Sequence, residues 1–591
     1  MCGIWALCFS DGSVSSVDYD YFKKLEHRGP DDSVWLSHPN MPFHFGFHRL
    51  SIQDLSEAGR QPFVRQNESY YESWMCNGEI YNAEEIKKKL VFQKWSGHSD
   101  CEVIGPWLHR LIEKPTLNIG ELMDQFDGVY AGVYLYWDYY TGSGVFMAFR
   151  DPIGVRPLFW GQSPDGRLYF ASEAKTIPLA ERFINPFPQG SLWICPIKKL
   201  PFQLPVSQYQ EPHLPALFPT MNGSRGYYWG NPLKNAPKTE DISQQHLVKL
   251  LEDAVEKRLL SDRPIASLLS GGLDSSLIAA IAARKLGERG QKLSTFSIGF
   301  EGAPDLIAAR EVAEHIGSDH HEIIITPEEA LEVIPEVVRT LETWDPTTIR
   351  ASTGMYLASR YIREKTDFVV VLSGEGADEL MEGYLYFHRA PTPEQGALDS
   401  ERLVLELPWY DVLRADKTTA AHGLELRVPF LDKEFVRYAM HLPAEIRSPR
   451  TIRGVEKGYM RQAFEELRGD LLPHSILWRK KEAFSDGISV PKHSWFAIIQ
   501  EHASKQYISD DLAAVQLSYM SDYYGEEELE VESVRQRRAM NTIEARWFMT
   551  LFSGNYRNGG QHWIPHVWLP RWSATIDPSA RTLEQNENLS K

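Results

Sequence analysis

Two unlike halves are predicted by the sequence: an α+β N-terminal half of stacked antiparallel sheets with a few helices, then an α/β half with a parallel sheet. Up to about residue 200, short runs such as FHFGFHRLSI, YAGVYLYWDYY and GVFMAFR are separated by Asp-Gly and Gly-Ser turns, the pattern of antiparallel strands. After about residue 240, helical patterns alternate with short apolar strands, which argues for a parallel sheet covered on both faces. The length, 591 residues, exceeds the roughly 250–300 at which a single hydrophobic core stops growing.

In chain order, residues 1–200 form the first expected domain, with a helix at Ala83 to Leu90. The aromatic run GVYAGVYLYW, stopped by Asp138, reads as a strand and is too short to span a bilayer. Residues 201–240 are rich in proline, glycine and asparagine and read as a connector laid over the surface, outside either core. The second domain is expected over 241–560. It has helices at His246 to Leu260, Ser276 to Leu286 and Ile307 to Ile316, and strands at Ile265 to Leu269, Ser294 to Phe300, His321 to Ile325 and Phe368 to Leu372. Helices dominate beyond residue 400, and 561–591 is a polar tail. There is no internal repeat.

A formal net charge of −18 disfavours nonspecific nucleic-acid or anionic-membrane binding. The five cysteines are odd in number and scattered, with no CxxC, which argues against a disulfide framework or zinc ribbon. MCGIWALCFSDG has no basic start, so it does not read as a signal peptide. A reduced, cytosolic setting follows, and the sequons at Asn67 and Asn222 are read as accidental. His315, His320, His321 and Glu322 look like metal ligands, but they straddle a helix end and a strand start and are read as solvated or capping.

The strongest short signal is ASLLSGGLDSSLIAAIAARKL. A strand runs into Ser270, Gly271, Gly272, Leu273, Asp274, Ser275 and Ser276, and then a helix. Two glycines uncover backbone N–H groups, serines add donors, and the helix start adds its positive dipole end. These make an anion cradle at the carboxyl end of a parallel strand. No Gly-Lys dipeptide is present, so this is not a Walker A loop. A second strand and loop, DFVVVLSGEGADELMEGY, places Ser373, Gly374, Glu375, Asp378 and Glu379 after an apolar strand. Carboxylates there are costly unless paired or bound to a cation. Mg²⁺ with phosphate oxygens suits them; a solvated acidic helix start is the alternative reading.

Cys2 follows Met1 directly. Removal of the methionine leaves a thiol and a free α-amine on one residue, the amine titrating near ~7.7–8.0 and able to act as a built-in base. The bland alternative is a buried cysteine in a first strand. FGFHRLSIQD, MCNGEIYN and SDCEVI follow within a hundred residues. Arg49 suits a carboxylate and Asp100 an ammonium, the two charges of an amino acid's head group. Asn77 and Gly78 offer the parts of an oxyanion hole.

Together these motifs resemble the glutamine-dependent asparagine synthetases. MCGI, HRGPDD, FGFHRLSI, NGEIYN, SDCEVI, RDPIGVRPLF and SEAK match a class II glutaminase with an N-terminal nucleophile. SLLSGGLDSS, ETWDPTTIRAS, SGEGADEL, DVLRADKTTAAHGLELRVPFLD and GVEKGYMR match the synthetase domain. KEAFSDGIS and DPSARTL look like the eukaryotic branch. The likeness runs from Met1 to about residue 580, and the order and spacing of the motifs are more specific than any one of them.

The resemblance implies ATP-dependent conversion of aspartate and glutamine to asparagine through β-aspartyl-AMP, with Mg²⁺ and in a homodimer. It makes Cys2 the nucleophile and Asn77 and Gly78 the oxyanion hole. Arg49, Leu50, Ser51, Ile52, Gln53, Glu79 and Asp100 hold glutamine. Leu268 and Ile298 line the adenine pocket. Ser270, Gly271, Gly272, Asp274, Ser275, Ser373, Gly374 and Lys457 hold ATP. Glu375 is tied to making the intermediate, Thr347, Thr348 and Arg350 to aspartate or the intermediate, and Asp274 and Asp378 to the metal. Three positions depart from the family: Gln53 for a hydrophobic residue, Phe149 for a glycine and Ala377 for a frequent serine. Gln53 is expected to alter glutamine packing and Phe149 to demand local rearrangement. β-Lactam synthetases share both halves but need no glutaminase chemistry, and Cys2, Arg49 and Asp100 argue against them. A glutamine- or ATP-sensing pseudoenzyme would show decayed catalytic positions, and none is found.

Overall fold

The computed structural model describes residues 1–8, 16–38, 41, 43–91, 93–164, 166–179, 184–197, 225–228, 242–481, 487–489, 494–506 and 543–555. The chain divides into two compact units. One is Met1–Asn235 with Leu260–Arg263 and Ala420–Leu424; the other is Ala236–Leu259, Pro264–Thr419 and Glu425–Lys591.

The first unit holds β1 (Gly3–Cys8), β2 (Asp32–Ser37), β3 (Phe43–Arg49), β4 (Phe63–Gln66), β5 (Tyr70–Ile80) and β6 (Gly128–Asp138). It continues with β7 (Ser143–Arg150), β8 (Phe159–Gln162), β9 (Leu168–Ala171), β10 (Ile184–Pro186), β11 (Ser191–Ile197) and β12 (Arg225–Tyr228). They form two six-stranded sheets, β10-β8-β9-β1-β3-β2 and β12-β11-β7-β6-β5-β4. Every recorded pairing in them is antiparallel. Ile4, Phe45, Phe47, Val133, Leu135 and Phe146 share one core between the sheets. Tyr130, Tyr134 and Phe149 pack on the other face of the second sheet, with Ile86, Trp107 and Met123 of the helices. Side chains alternate along a strand, so β6 is buried on both faces. That is why its sequence is a continuous aromatic and aliphatic run.

Phe149 needs no distortion of the sheet. It pairs with Gly132 across β6 and β7, where a Cβ would lie 2.5 Å from the Phe149 ring. A glycine opposite makes the room. Arg225–Tyr228 corrects the expected connector. It is an edge strand paired with β11, and Tyr227 is buried in the helix-side core, because an aromatic side chain at the sheet edge removes apolar area from water. The rest of 201–240, the tail 561–591 and most of KEAFSDGIS lie outside the described residues.

The second unit contains β13 (Ile265–Leu268), β14 (Ser294–Gly299), β15 (Asp319–Ile324), β16 (Val370–Leu372) and β17 (Glu425–Arg427). All pair in parallel, in the order β15-β14-β13-β16-β17. Strand order reverses between β13 and β16, and open parallel sheets bind ligands at the carboxyl ends of such a switch point. The helix after β13 begins at Leu273, three residues before the expected start, with Gly272 as its N-cap. β16 begins at Val370, two residues later than expected. Among the described residues, no helix is long and apolar enough to cross a membrane.

Candidate active sites

In the first unit β1 delivers Cys2 beside the end of β3. Leu50 N–H lies 3.5 Å from Cys2 Sγ, and the thiol lies 3.7 Å from Leu50 O. Met1 is attached and buried, so the Cys2 nitrogen is an amide here. Behind Cys2, Arg28 Nε donates to its carbonyl at 3.1 Å. Arg28 pairs with buried Glu173 at 3.0 Å, which also takes His27 at 3.0 Å and Lys175 at 2.5 Å. Burial alone would raise the Glu173 pKa; Lys175, His27 and Arg28 outweigh it and hold the carboxyl well below its usual range. HRGPDD and SEAK contain these residues, but sequence reasoning gave them no part in the site.

Asn77 is buried on β5, and neither atom of its side-chain amide has a hydrogen-bond partner. An unpartnered buried amide is costly unless a ligand completes it. Gly78 has φ +147°, and a Cβ there would lie 2.0 Å from Val129 O, so only glycine fits. Ile80 N–H donates to Asp100 Oδ2 at 2.6 Å, which ties Asp100 to the end of β5. Gln53 Nε2 donates to Glu79 Oε2. This gives the Gln53 departure a polar partner that a hydrophobic residue would lack. The loop from Leu50 to Gln53 therefore touches Cys2 at one end and Glu79 at the other. Arg49 turns both terminal nitrogens onto loop carbonyls, Ser56 O at 3.0 Å and Asp54 O.

In the second unit the loops after β13 and β16 meet. A Cβ on Gly374 would lie 2.7 Å from Ser275 N, which leaves the two backbones face to face. Gly271, at φ +71°, packs its Cα against the helix Pro304–Ile316, where a Cβ would lie 2.5 Å from Ala308. Ser275 Oγ accepts from Ser270 N at 3.1 Å and lies 3.0 Å from Ser270 Oγ. A cavity of about 210 Å³ opens here, with Leu268 and Ile298 on its wall and Phe296 and Met355 beside them. Ser270, Gly272, Asp274, Ser275, Ser373, Gly374, Glu375, Asp378, Lys457, Thr347 and Arg350 reach the same cavity. Thr348 does not: its N–H donates to Asp345 Oδ2 at 2.7 Å as part of the cap of the helix Pro346–Lys365. Gly271 is likewise off the wall, held against the neighbouring helix.

The carboxylates are paired with cations. Lys457 Nζ bonds Asp274 at 2.6 Å and Asp378 at 2.5 Å. Lys481 Nζ bonds Asp378 at 2.6 Å. Burial alone would raise Asp378; Lys457 and Lys481 reverse the shift and hold it below its usual range. Arg414 pairs with Glu375 at 2.6 Å and with Asp411 at 2.8 Å. Burial raises the Glu375 pKa despite Arg414, and it raises Glu379 well above the usual range, with Asp411 and Asp378 adding to it. Lys481, Arg414 and Asp411 lie in DVLRAD and KEAF, but no local pattern there marks them as partners of these carboxylates.

The histidine cluster disperses. His320 bonds Thr295 Oγ1 at 2.9 Å and Ser297 Oγ at 3.1 Å. His321 stacks on Phe296, His315 bonds Asp470 O, and Glu322 takes Arg310 with both oxygens.

Comparison with known proteins covers both units. A family described as "Glutamine amidotransferase domain" matches residues 1–187. One described as "Asparagine synthase" matches 246–409 and 398–552. "Asparagine synthetase [glutamine-hydrolyzing]" of Gallus gallus is 42% identical over 605 residues, with 99% of each chain covered. The proteins of the same name from Bos taurus and Homo sapiens are 41% identical, with 100% of each chain covered.

Proposed function

The chain belongs to the glutamine-hydrolysing asparagine synthetase family, and we propose that it makes L-asparagine from L-aspartate, glutamine and ATP. The single observation that carries the reading is the cavity at the β13–β16 switch point, where Ser270, Asp274, Glu375 and Lys457 converge. It lies in a chain that also presents Cys2, Asn77 and Asp100.

A carboxylate is a poor electrophile. Attack of the aspartate side-chain carboxylate on the α-phosphorus of ATP displaces pyrophosphate and gives β-aspartyl-AMP. Leu268 and Ile298 would flank the adenine. The N–H groups and hydroxyls of Ser270, Gly272, Asp274 and Ser275, with Ser373 and Lys457, would hold the phosphates. Glu375 would face the carboxyl being activated, with Arg414 holding it by an ion pair at 2.6 Å. Thr347 and Arg350 would hold the aspartyl part. Mg²⁺ is part of this proposal: it neutralises phosphate charge when bound, and Asp274 and Asp378 fit it, as two close carboxylates sharing a cation.

Glutamine is cut at Cys2. With Met1 removed, the α-amine takes the thiol proton and the thiolate attacks the side-chain amide. The unpartnered Asn77 amide and the Gly78 N–H would stabilise the oxyanion. Arg49 and Asp100 would hold the two charges of the head group. Ammonia leaves, water releases glutamate, and ammonia displaces AMP from the adenylate. Domain limits of 1–200 and 241–560, joined by 201–240 with the edge strand Arg225–Tyr228 inside it, a tail of 561–591, a homodimeric state and a cytosolic location complete the proposal.

Amide-¹⁵N glutamine with aspartate and ATP should give asparagine one mass unit heavier. Cys2→Ala should lose this product and keep synthesis from ammonium. Loss of both activities would contradict two separate centres, and full glutamine use by the variant would remove Cys2 as nucleophile.

A further inference from the structure

The loop that carries the glutamine-site residues is held from a place the motifs do not reach. Leu260–Arg263 groups with the first unit, although its flanking sequence belongs to the second. Within it Asp262 makes three contacts. Its N–H donates to Ile52 O at 2.9 Å. Its Oδ2 accepts from Asp54 N–H at 2.8 Å and lies 2.9 Å from His98 Nε2. The last two share one carboxylate oxygen. Asp54 itself is buried and takes φ +57°, a region disfavoured for any residue with a Cβ. Such a conformation persists only where its surroundings hold it. His98 N–H adds a bond to Asp54 Oδ2 at 2.8 Å, and Asp54 O accepts from Arg49 Nη2.

We propose that Asp262 is a positioning residue for glutamine: by fixing Ile52 and Asp54 it sets, through Asp54, where the Arg49 guanidinium stands. The proposal rests on the glutaminase reading above. None of these bonds is made to the Cys2 thiol itself, which meets the loop at Leu50, or to the adenylation cavity. Loss of the Asp262 carboxylate therefore frees the left-handed Asp54 turn and lets Arg49 follow it. Weaker capture of glutamine is the consequence, with the chemistry after capture unchanged.

The test uses the full chain with Asp262→Ala, Asp262→Asn and His98→Ala. Glutamate release is followed over glutamine concentration, and asparagine formation is followed with ammonium chloride. Asp262→Ala keeps the main-chain bond to Ile52 and should raise KM for glutamine about tenfold, the scale of losing a charged acceptor. Its kcat should stay within about twofold, and ammonium-driven synthesis should match wild type. Asp262→Asn keeps one acceptor oxygen and should fall between; His98→Ala should be milder still. An unmoved KM in Asp262→Ala overturns the proposal. A parallel fall in ammonium-driven synthesis also overturns it, by showing a general loss of fold. A wild-type chain that releases no glutamate refutes the Cys2 reading itself. One that does, with KM unmoved in the variant, refutes only the role of Asp262.

Discussion

Glu375 shows how much one residue's chemistry depends on neighbours far off in sequence. It follows a buried apolar strand, and burial raises its pKa. Arg414, 39 residues away, takes one of its oxygens at 2.6 Å. Asp378, one turn on, is answered by Lys481, 103 residues away. Sequence alone states the cost of carboxylates at a strand end, so Glu375 and Asp378 were legible. It cannot state which distant cations offset that cost, so Arg414 and Lys481 were not. Glu375→Ala should stop aspartate-dependent pyrophosphate release by at least about a hundredfold, the scale of losing one aligned electrostatic contact in a dry site. Glutamine hydrolysis at Cys2 should survive in the same variant. Pyrophosphate release at the wild-type rate would take Glu375 out of the activation step.

Elements were readable where periodicity was strong. β6 and β13 could be read because apolar runs bounded by Asp138 and by Ser270-Gly271 leave few alternatives. The helix after β13 starts earlier than its sequence suggests, because Leu273 and Asp274 look like loop residues while Gly272 is in fact the N-cap. β12 was missed because a Gly-Tyr-Tyr edge strand carries no alternation of its own within a proline-rich stretch. The β6–β7 pair shows a subtler limit. Phe149 looks like a disruption until Gly132 is found opposite. Gly132→Ala should cost about 1–3 kcal/mol by overpacking, since its Cβ would meet the Phe149 ring at 2.5 Å and Met75 O at 2.6 Å. In a Phe149→Ala background the ring's share disappears and Met75's remains. A double-mutant cycle in denaturant should therefore show coupling of at least about 0.5 kcal/mol. Strict additivity would mean the ring is not what Gly132 makes room for.

At the scale of the whole molecule the segments that cross between units in sequence were invisible. Leu260–Arg263 and Ala420–Leu424 group with the first unit, and no local pattern marks them, because the contacts that place them are long-range. Charge acts at the same scale. The chain carries −18, yet several carboxylates are buried where ionisation is resisted. Burial pushes Glu382 up to about 7 against the pull of Arg447, and pushes Glu406 up to about 7 against Arg402. A carboxyl with a raised folded-state pKa favours the folded state while protonated. That contribution is complete below its unfolded value, about 4.3, and is lost as pH rises through about 7. At 1.36 kcal/mol per unit, each group removes up to about 4 kcal/mol over that window. Asp378 and Glu173 shift downward, so their stabilisation is lost only in acid, below the ordinary carboxylate range. Against an opposite slope from His38, His44, His48 and His320, whose burial lowers their pKa, the contribution of Glu382 and Glu406 should therefore be greatest near pH 5 and fall towards pH 7.5. Repulsion among surface carboxylates would slope the same way, so a variant must separate the two causes. Glu382 is buried and its Oε1 has no hydrogen-bond partner; Glu382→Gln removes the titration and keeps the shape. Thermal midpoints should drop less between pH 5 and pH 7.5 in this variant than in wild type. Equal drops would assign the slope to surface charge and acquit the buried carboxyl.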